Sequence, residues 1–198
     1  TLYGMLQTVD FQQRNVITVE DPIEHIMPNI SQIEVNSRAN VTFATALRSI
    51  LRQDPDVICV GEIRDGETAQ MAIQASQTGH LVLATLHANS NMSALVRLID
   101  LGVKPLLISS AVSVIISQRL VRCLCRYCKG PAELTQSQLD YCEKNSVDRK
   151  QILTAQGCGN CGGTGYYGRT AILDVLTMND HLRTLLCNQQ LAPGDLKE

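Results

Sequence analysis

Three short apolar runs with little polar alternation set the pattern of this chain: Val16-Ile17-Thr18-Val19, Val57-Ile58-Cys59-Val60 and Leu81 to Leu86. Runs of this kind predict strands buried on both faces of a parallel sheet. Each stops at side chains that can do chemistry. The first ends in Glu20-Asp21-Pro22-Ile23-Glu24, the second at Gly61-Glu62 and the third at His87. Between the second and third, Asp65 can cap a helix whose Ala69, Ala72, Ile73 and Ser76 recur at helical spacing, and Gly79 can close it. In open α/β sheets, ligands bind at the carboxyl ends of the strands. Glu20, Asp21 and Glu24 alone would be read as a solvated turn. Three coincident strand ends favour an active site.

Other segments follow helical or mixed periods. Leu2, Met5, Leu6 and Val9 share one helical face. Ile30 to Val41 reads as a looped or hairpin segment, alternating over Gln32-Ile33-Glu34-Val35 and then turn-like. Thr42 can cap a helix that turns Phe43, Leu47, Ile50 and Leu51 to the core. Caps between Asn89 and Ser93 precede a helix carrying Leu95, Val96, Leu98 and Ile99, closed by Gly102. Lys104-Pro105 starts a further helix predicted to run to about Arg119. Its apolar stretch, Leu106 to Ile116, is broken by serines and falls short of the roughly 18 residues a membrane span needs. A strand from Tyr166 to Leu176 and a short helix with Leu182, Leu185 and Leu186 complete the pattern. The expected organisation is an α/β core over 1–120, a cysteine-bearing lobe over 121–165, and a C-terminal strand and helix over 166–198.

Composition narrows the function classes. The chain has 198 residues, of which 44% are apolar, enough for one core and an appendage. A net charge of −2, no Trp and two Phe disfavour nucleic acid as a partner, which calls for a basic face and stacking platforms. Residues 1–10 carry no export signal, so the eight cysteines suggest a metal site rather than a secreted disulfide framework. Cys125-Arg-Tyr-Cys128 and Cys158-Gly-Asn-Cys161 are two CxxC turns separated by 29 residues. Two such turns can complete the tetrahedral four-thiolate site that zinc accepts. A labile disulfide, incidental buried thiols and an iron–sulfur cluster are the alternatives; zinc is favoured, in a closed, structural site. Cys123 lies close enough to stand in for Cys125, whereas Cys59, Cys142 and Cys187 read as small core residues or bystanders.

The cations have bland readings first. Arg119, Arg122, Arg126 and Lys129 form a basic patch leading into the cysteines, ordinarily a solvated face and alternatively a contact for anionic lipid or an acidic partner. Arg38, Arg48 and Arg52 lie outside the apolar stripe of their helix or its flanks. Near a phosphate, one such arginine can neutralise transition-state charge, worth about 10³ to 10⁵ in rate.

Four stretches together, VITVEDPIEH, LRQDPDVICVGEIRD, TGHLVLATLHAN and the paired CxxC motifs, resemble the type II secretion and type IV pilus-assembly ATPases of the secretion ATPase superfamily. The resemblance covers residues 1 to about 188. It implies a RecA-like P-loop NTPase core in a cytoplasmic hexamer, peripherally bound at the bacterial inner membrane and working on the membrane platform of a secretion system or pilus. ATP, Mg²⁺ and Zn²⁺ are the implied cofactors. By motif, Glu20, Asp21 and Glu24 stand in the family's Asp box, and Gly61 and Glu62 in its Walker B, where glycine replaces the usual aspartate. His80 and His87 stand in its His box, and Cys125, Cys128, Cys158 and Cys161 match its tetracysteine motif. Glu62, Glu20, Asp21 and His87 are the expected catalytic set; Glu24, Gly61, His80, Arg38 and Arg48 are expected around the nucleotide. One departure is plain: no GxxxxGK[ST] occurs in these residues. They are therefore expected to bind ATP poorly and hydrolyse it negligibly alone, as the C-terminal portion of a longer motor. A zinc-stapled, non-catalytic interaction module is the alternative; a nucleic-acid motor on the same core is disfavoured by the charge balance.

Overall fold

A computed structural model of the chain describes residues 1–188. Its first half runs α1 (Leu2–Leu6), β1 (Val16–Glu20), β2 (Ser31–Glu34), α2 (Phe43–Ile50), β3 (Val57–Ile63), α3 (Gly66–Gln77) and β4 (Leu81–Leu86). The strands form one sheet in the order β2-β1-β3-β4, with every neighbouring pair parallel. All four carboxyl ends therefore open on the same edge.

Alternation along β1 places its side chains against two packed faces. Ile17 and Val19 join Ile58 and Val60 in a core built with Phe43, Leu47, Ile73 and Leu95. Val16 joins Val57, Cys59 and Leu6 of α1 in a smaller cluster on the other side. Thr18 and Glu20, two and four residues beyond Val16, share its face. Cys59 is a core residue as expected, and burial, with the negative charge of Glu20 nearby, pushes its thiol up to about 12.

The helix starts follow the caps read from the sequence. Thr42 opens α2 through a reciprocal bond pair with Thr45, and the Asp65 carboxylate accepts the Thr68 N–H at 2.8 Å to open α3. Ser90 opens α4 (Asn91–Asp100), and Gly79 (φ +96°) and Gly102 (φ +85°) follow the ends of α3 and α4.

Three expectations need correction. The segment from Ile30 is no hairpin: β2 pairs parallel to β1, and only an isolated antiparallel bridge, Asn36 with Val41, closes the following turn. Parallel partners lie far apart in sequence, so local alternation cannot reveal them. β4 is not buried on both faces; it is one of the two outer strands of the described sheet, with Leu81 half exposed. The helix from Pro105 ends early. α5 covers Pro105–Ala111, and β5 covers Val114–Leu124. Val114, Ile115 and Ile116 are β-branched and favour the extended backbone that helical spacing had masked.

The rest of the described chain adds β6 (Lys129–Pro131), α6 (Gln136–Lys144), β7 (Leu153–Ala155), β8 (Tyr166–Thr177) and α7 (Asp180–Cys187). β5 pairs with β8, and β6 pairs antiparallel with β7. By compactness there are two units. The first is Thr1–Ser117 with the chain resuming at Val175, where Leu182 and Leu186 of α7 lie in the same core as Ile108 of α5. The second is Gln118–Asp174, which holds the β6–β7 pair, α6 and the cysteine turns. Two members of its basic patch are engaged, with Arg122 stacked 3.9 Å over the Tyr166 ring and Arg126 4.8 Å over Tyr127. Residues 189–198, the end of the expected C-terminal segment, lie outside the described residues. No helix among the described residues is long and apolar enough to cross a membrane.

Candidate active site and tetracysteine centre

The carboxyl edge of the sheet carries a continuous chain of charged groups. Glu62, at the end of β3, is the middle of it. One of its carboxylate oxygens lies 3.0 Å from Nε2 of His87, just past β4, and the other is paired with Arg64. The same Arg64 guanidinium reaches Asp21, just past β1, at 3.2 Å. Asp21, Arg64, Glu62 and His87 thus come together from three strand ends along one rim. The His87 ring is 90% exposed, whereas the Glu62 side chain is only 12% exposed. Ion pairing with Glu62 first, then with Asp21, raises the already high pKa of Arg64, so a permanent cation stands between two carboxylates.

Glu20 reaches this edge but is only 6% exposed. Its Oε1 accepts from Thr18 Oγ1 at 2.6 Å and from Gln32 Nε2 at 3.0 Å, and its Oε2 accepts from the Tyr3 hydroxyl. All three donors are neutral. Burial, and next its donation to Glu20, raises the pKa of Tyr3. Glu24 is exposed, and it touches the cluster through its backbone N–H, which donates to Tyr3 OH at 3.3 Å.

Gly61 explains why no side chain precedes Glu62. A Cβ built there would lie 3.1 Å from the Val19 carbonyl oxygen and 3.2 Å from Glu20 Cα, both backbone atoms. β3 shifts register against β4 between Val60 and Ile63, and the Gly61 carbonyl accepts from Thr85 Oγ1 at 2.5 Å. Gly61→Ala must push the end of β1 away. It is expected to cost about 1–3 kcal/mol of stability, read from urea unfolding, because overpacking beside backbone has no soft partner.

The other residues expected around the nucleotide make their bonds outside this chain of charges. His80 precedes β4, so it sits at the opposite edge, about 20 Å from His87 by the rise of a six-residue strand. Its Nδ1 is bonded with the Ala75 carbonyl at 2.9 Å and with Thr78 Oγ1 at 3.0 Å, which gives it a place at the end of α3 rather than on the rim. Arg48 pairs with Glu67 across α2 and α3, Arg52 is exposed beyond α2, and Arg38 is exposed on the turn after β2. The rim carboxylates take their cation from Arg64 instead. Two open hollows of the first unit lie away from the rim; one of about 770 Å³ is walled by Arg14, Asn15, Asn29, Asp54 and Asp56 near the amino edge.

In the second unit, the two CxxC turns bring Cys125, Cys128, Cys158 and Cys161 within 4.8 Å of one another. The sulfur separations are 4.0 Å for 125–158, 3.9 Å for 128–161 and 3.8 Å for 158–161. Tetrahedral zinc with bonds of about 2.3 Å places its sulfurs about 3.8 Å apart, so the four positions fit that ion. All are free thiols, and Cys123 lies outside the group. Burial pushes Cys128 up to about 11. It acts the same way on Cys161 but is overcome: backbone N–H groups of Cys158 and Gly165, at 3.2 and 3.1 Å, and neighbouring thiols bring Cys161 down to about 6. Gly165 can point its N–H inward because it adopts φ +74°, and a Cβ would meet Ala155 at 2.5 Å.

The family model described as "Type II/IV secretion system protein" matches residues 1–193. The chain belongs to the type II/IV secretion system protein family. Among relatives of this secretion family, the type II secretion system protein E of Pseudomonas aeruginosa is 48% identical over 189 residues, covering 96% of this chain. The type II secretion system ATPase E of Vibrio cholerae is 49% identical over 186 residues, covering 94%. The chain spans 38% and 37% of the lengths of those two relatives. Among solved structures, the pilus retraction motor PilT with bound ADP superposes with a TM-score of 0.62 at 31% identity, covering 90% of this chain and 43% of that one. The Legionella pneumophila ATPase DotB, at 24% identity and a TM-score of 0.57, shares the fold. The RecA-like α/β core expected of a secretion ATPase is thus the fold found.

Two site residues escaped the sequence reading of this family member. No motif singles out Arg64, which follows β3 directly and pairs with Glu62 two residues before it. No pattern singles out Tyr3, which lies off the Leu2, Met5, Leu6 and Val9 face, and nothing local pairs it with Glu20, 17 residues on.

Proposed function

We propose that this chain is the C-terminal catalytic portion of a hexameric, cytoplasmic ATPase that powers type II protein secretion or type IV pilus assembly from the inner face of the bacterial inner membrane. The observation that carries this reading is the Asp21–Arg64–Glu62–His87 rim, three strand ends joined at the edge where open α/β sheets bind ligands. Glu62 is placed to orient the attacking water and accept its proton. His87, exposed beside it, is placed to donate to the γ-phosphate of ATP. Asp21 offers a carboxylate for the waters of Mg²⁺, and Mg²⁺ when bound neutralises charge on the β- and γ-phosphates. Arg64 keeps Asp21 and Glu62 in register while no other cation lies between them. Cys125, Cys128, Cys158 and Cys161 would hold zinc in a closed site that shapes the second unit and takes no part in hydrolysis.

A second reading, a zinc-stapled interaction module without catalysis, is favoured by the absence of GxxxxGK[ST] from these residues. Phosphate release separates the two. The intact parent protein is expected to hydrolyse ATP in a magnesium-dependent way, and residues 1–198 alone to release phosphate no faster than the buffer. Magnesium-dependent turnover by residues 1–198 themselves would overturn the dependence on an upstream phosphate loop. A parent protein without turnover would favour the module.

A further inference from the structure

Tyr3 has every polar capacity of its hydroxyl engaged on the end of β1 and the loop that carries Asp21. It donates to Glu20 Oε2 and accepts the backbone N–H groups of Glu24 and His25, each at 3.3 Å. Its ring meets the His25 ring edge to face, 5.9 Å between centroids. Gln32 on β2 repeats the arrangement from the other side. Its amide donates to Glu20 Oε1 and to the His25 carbonyl, both at 3.0 Å, and accepts the Met27 N–H at 2.8 Å. Buried Glu20 therefore joins α1, the 21–27 loop and β2, and Asp21 is the next residue along.

We propose that Tyr3 is a positioning residue: through Glu20 and the backbone of residues 24 and 25, its hydroxyl fixes the loop that presents Asp21 to the nucleotide. The role rests on the ATPase reading above, but it concerns a residue that does not touch the reacting atoms. The Glu20 carboxylate has three neutral donors and almost no exposed surface, so it acts as the hub of this joint rather than as a ligand at the rim. A joint between α1 and the acid loop makes the angle of that loop depend on where the helix sits.

The test uses the intact parent protein in its assembled form. Tyr3→Phe keeps the ring and removes only the hydroxyl. Turnover is expected to fall about tenfold, the scale of one hydrogen bond to a charged group, with KM for ATP within about twofold, while the variant still folds and melts cooperatively at a midpoint lowered by a few degrees. Tyr3 and Glu20 should act as one unit, so adding Tyr3→Phe to Glu20→Gln should cost less than about twofold more. Unchanged turnover, an additive double variant, or loss of folding in Tyr3→Phe would each overturn the positioning role. A wild-type parent without magnesium-dependent turnover would defeat the ATPase reading instead, and the same assay distinguishes that outcome.

Discussion

Glu62→Gln in the intact parent protein is expected to lower ATP turnover by about two to four orders of magnitude, the range in which a positioned general base acts. Glutamine keeps the size of the side chain and can still accept from Arg64, so the fold is expected to survive. It cannot take a proton from water. KM for ATP should change little, because the lost interaction forms as the water attacks and not as nucleotide binds. Steady-state phosphate release across a range of ATP concentrations, with a melting curve as control, checks the result. The effect should exceed that of Tyr3→Phe clearly, since the proposed role of Glu62 is at the reacting atoms and that of Tyr3 acts through a buried carboxylate.

Cys161→Ser removes the sulfur that receives two backbone N–H groups, which help bring its pKa down to about 6. Zinc content is expected to fall from one ion per chain toward none. Apparent binding energies of about 10 kcal/mol or more in small zinc domains are folding energy, so the second unit should loosen. Amide hydrogen exchange is the appropriate measurement. Protection should be lost across Gln118–Asp174 and kept in the sheet of the first unit, whose core contains none of the four cysteines. Removing the metal from the wild type with a chelator should reproduce the pattern. Acidification should release the ion too, because the ligands are thiolates and protons compete with the metal for them.

What was legible in the sequence follows from where the determining forces act. β1 and β3 announce themselves because burial on both faces removes polar residues from the strand, and the first polar residues after them are the rim acids. The caps at Thr42 and Asp65 were equally plain, since capping is settled within three residues. The four cysteines could be read as a group because two tight turns repeat one spacing, although only the fold excluded Cys123. Other features depend on partners distant in the chain. β2 is parallel to β1 and held at an edge, so its alternation resembled a hairpin arm. β5 lay hidden in an apolar run whose period suits helix and strand alike until the β-branched residues at 114–116 are weighed. The small elements β6, α6 and β7 carry too few apolar residues to show a period. The ion pair of Arg64 with Asp21 joins residues 43 apart, and no local pattern encodes that contact.

His80 and His87 show the same limit from the other side. Both flank β4, and motif resemblance treats them alike. The direction of one strand separates them: a residue before a parallel strand lies at the amino edge, and a residue after it lies at the carboxyl edge. Sequence supplied both imidazoles, and topology assigned only one to the rim.

The most direct test of the whole account is a structure of the intact parent protein with Mg²⁺ and a non-hydrolysable ATP analogue. The account predicts the terminal phosphate and its metal at the carboxyl edge, with Asp21, Glu62 and His87 within hydrogen-bonding or water-bridged reach and Glu20 still bonded to Tyr3. An analogue bound with all three of those side chains out of reach would contradict it.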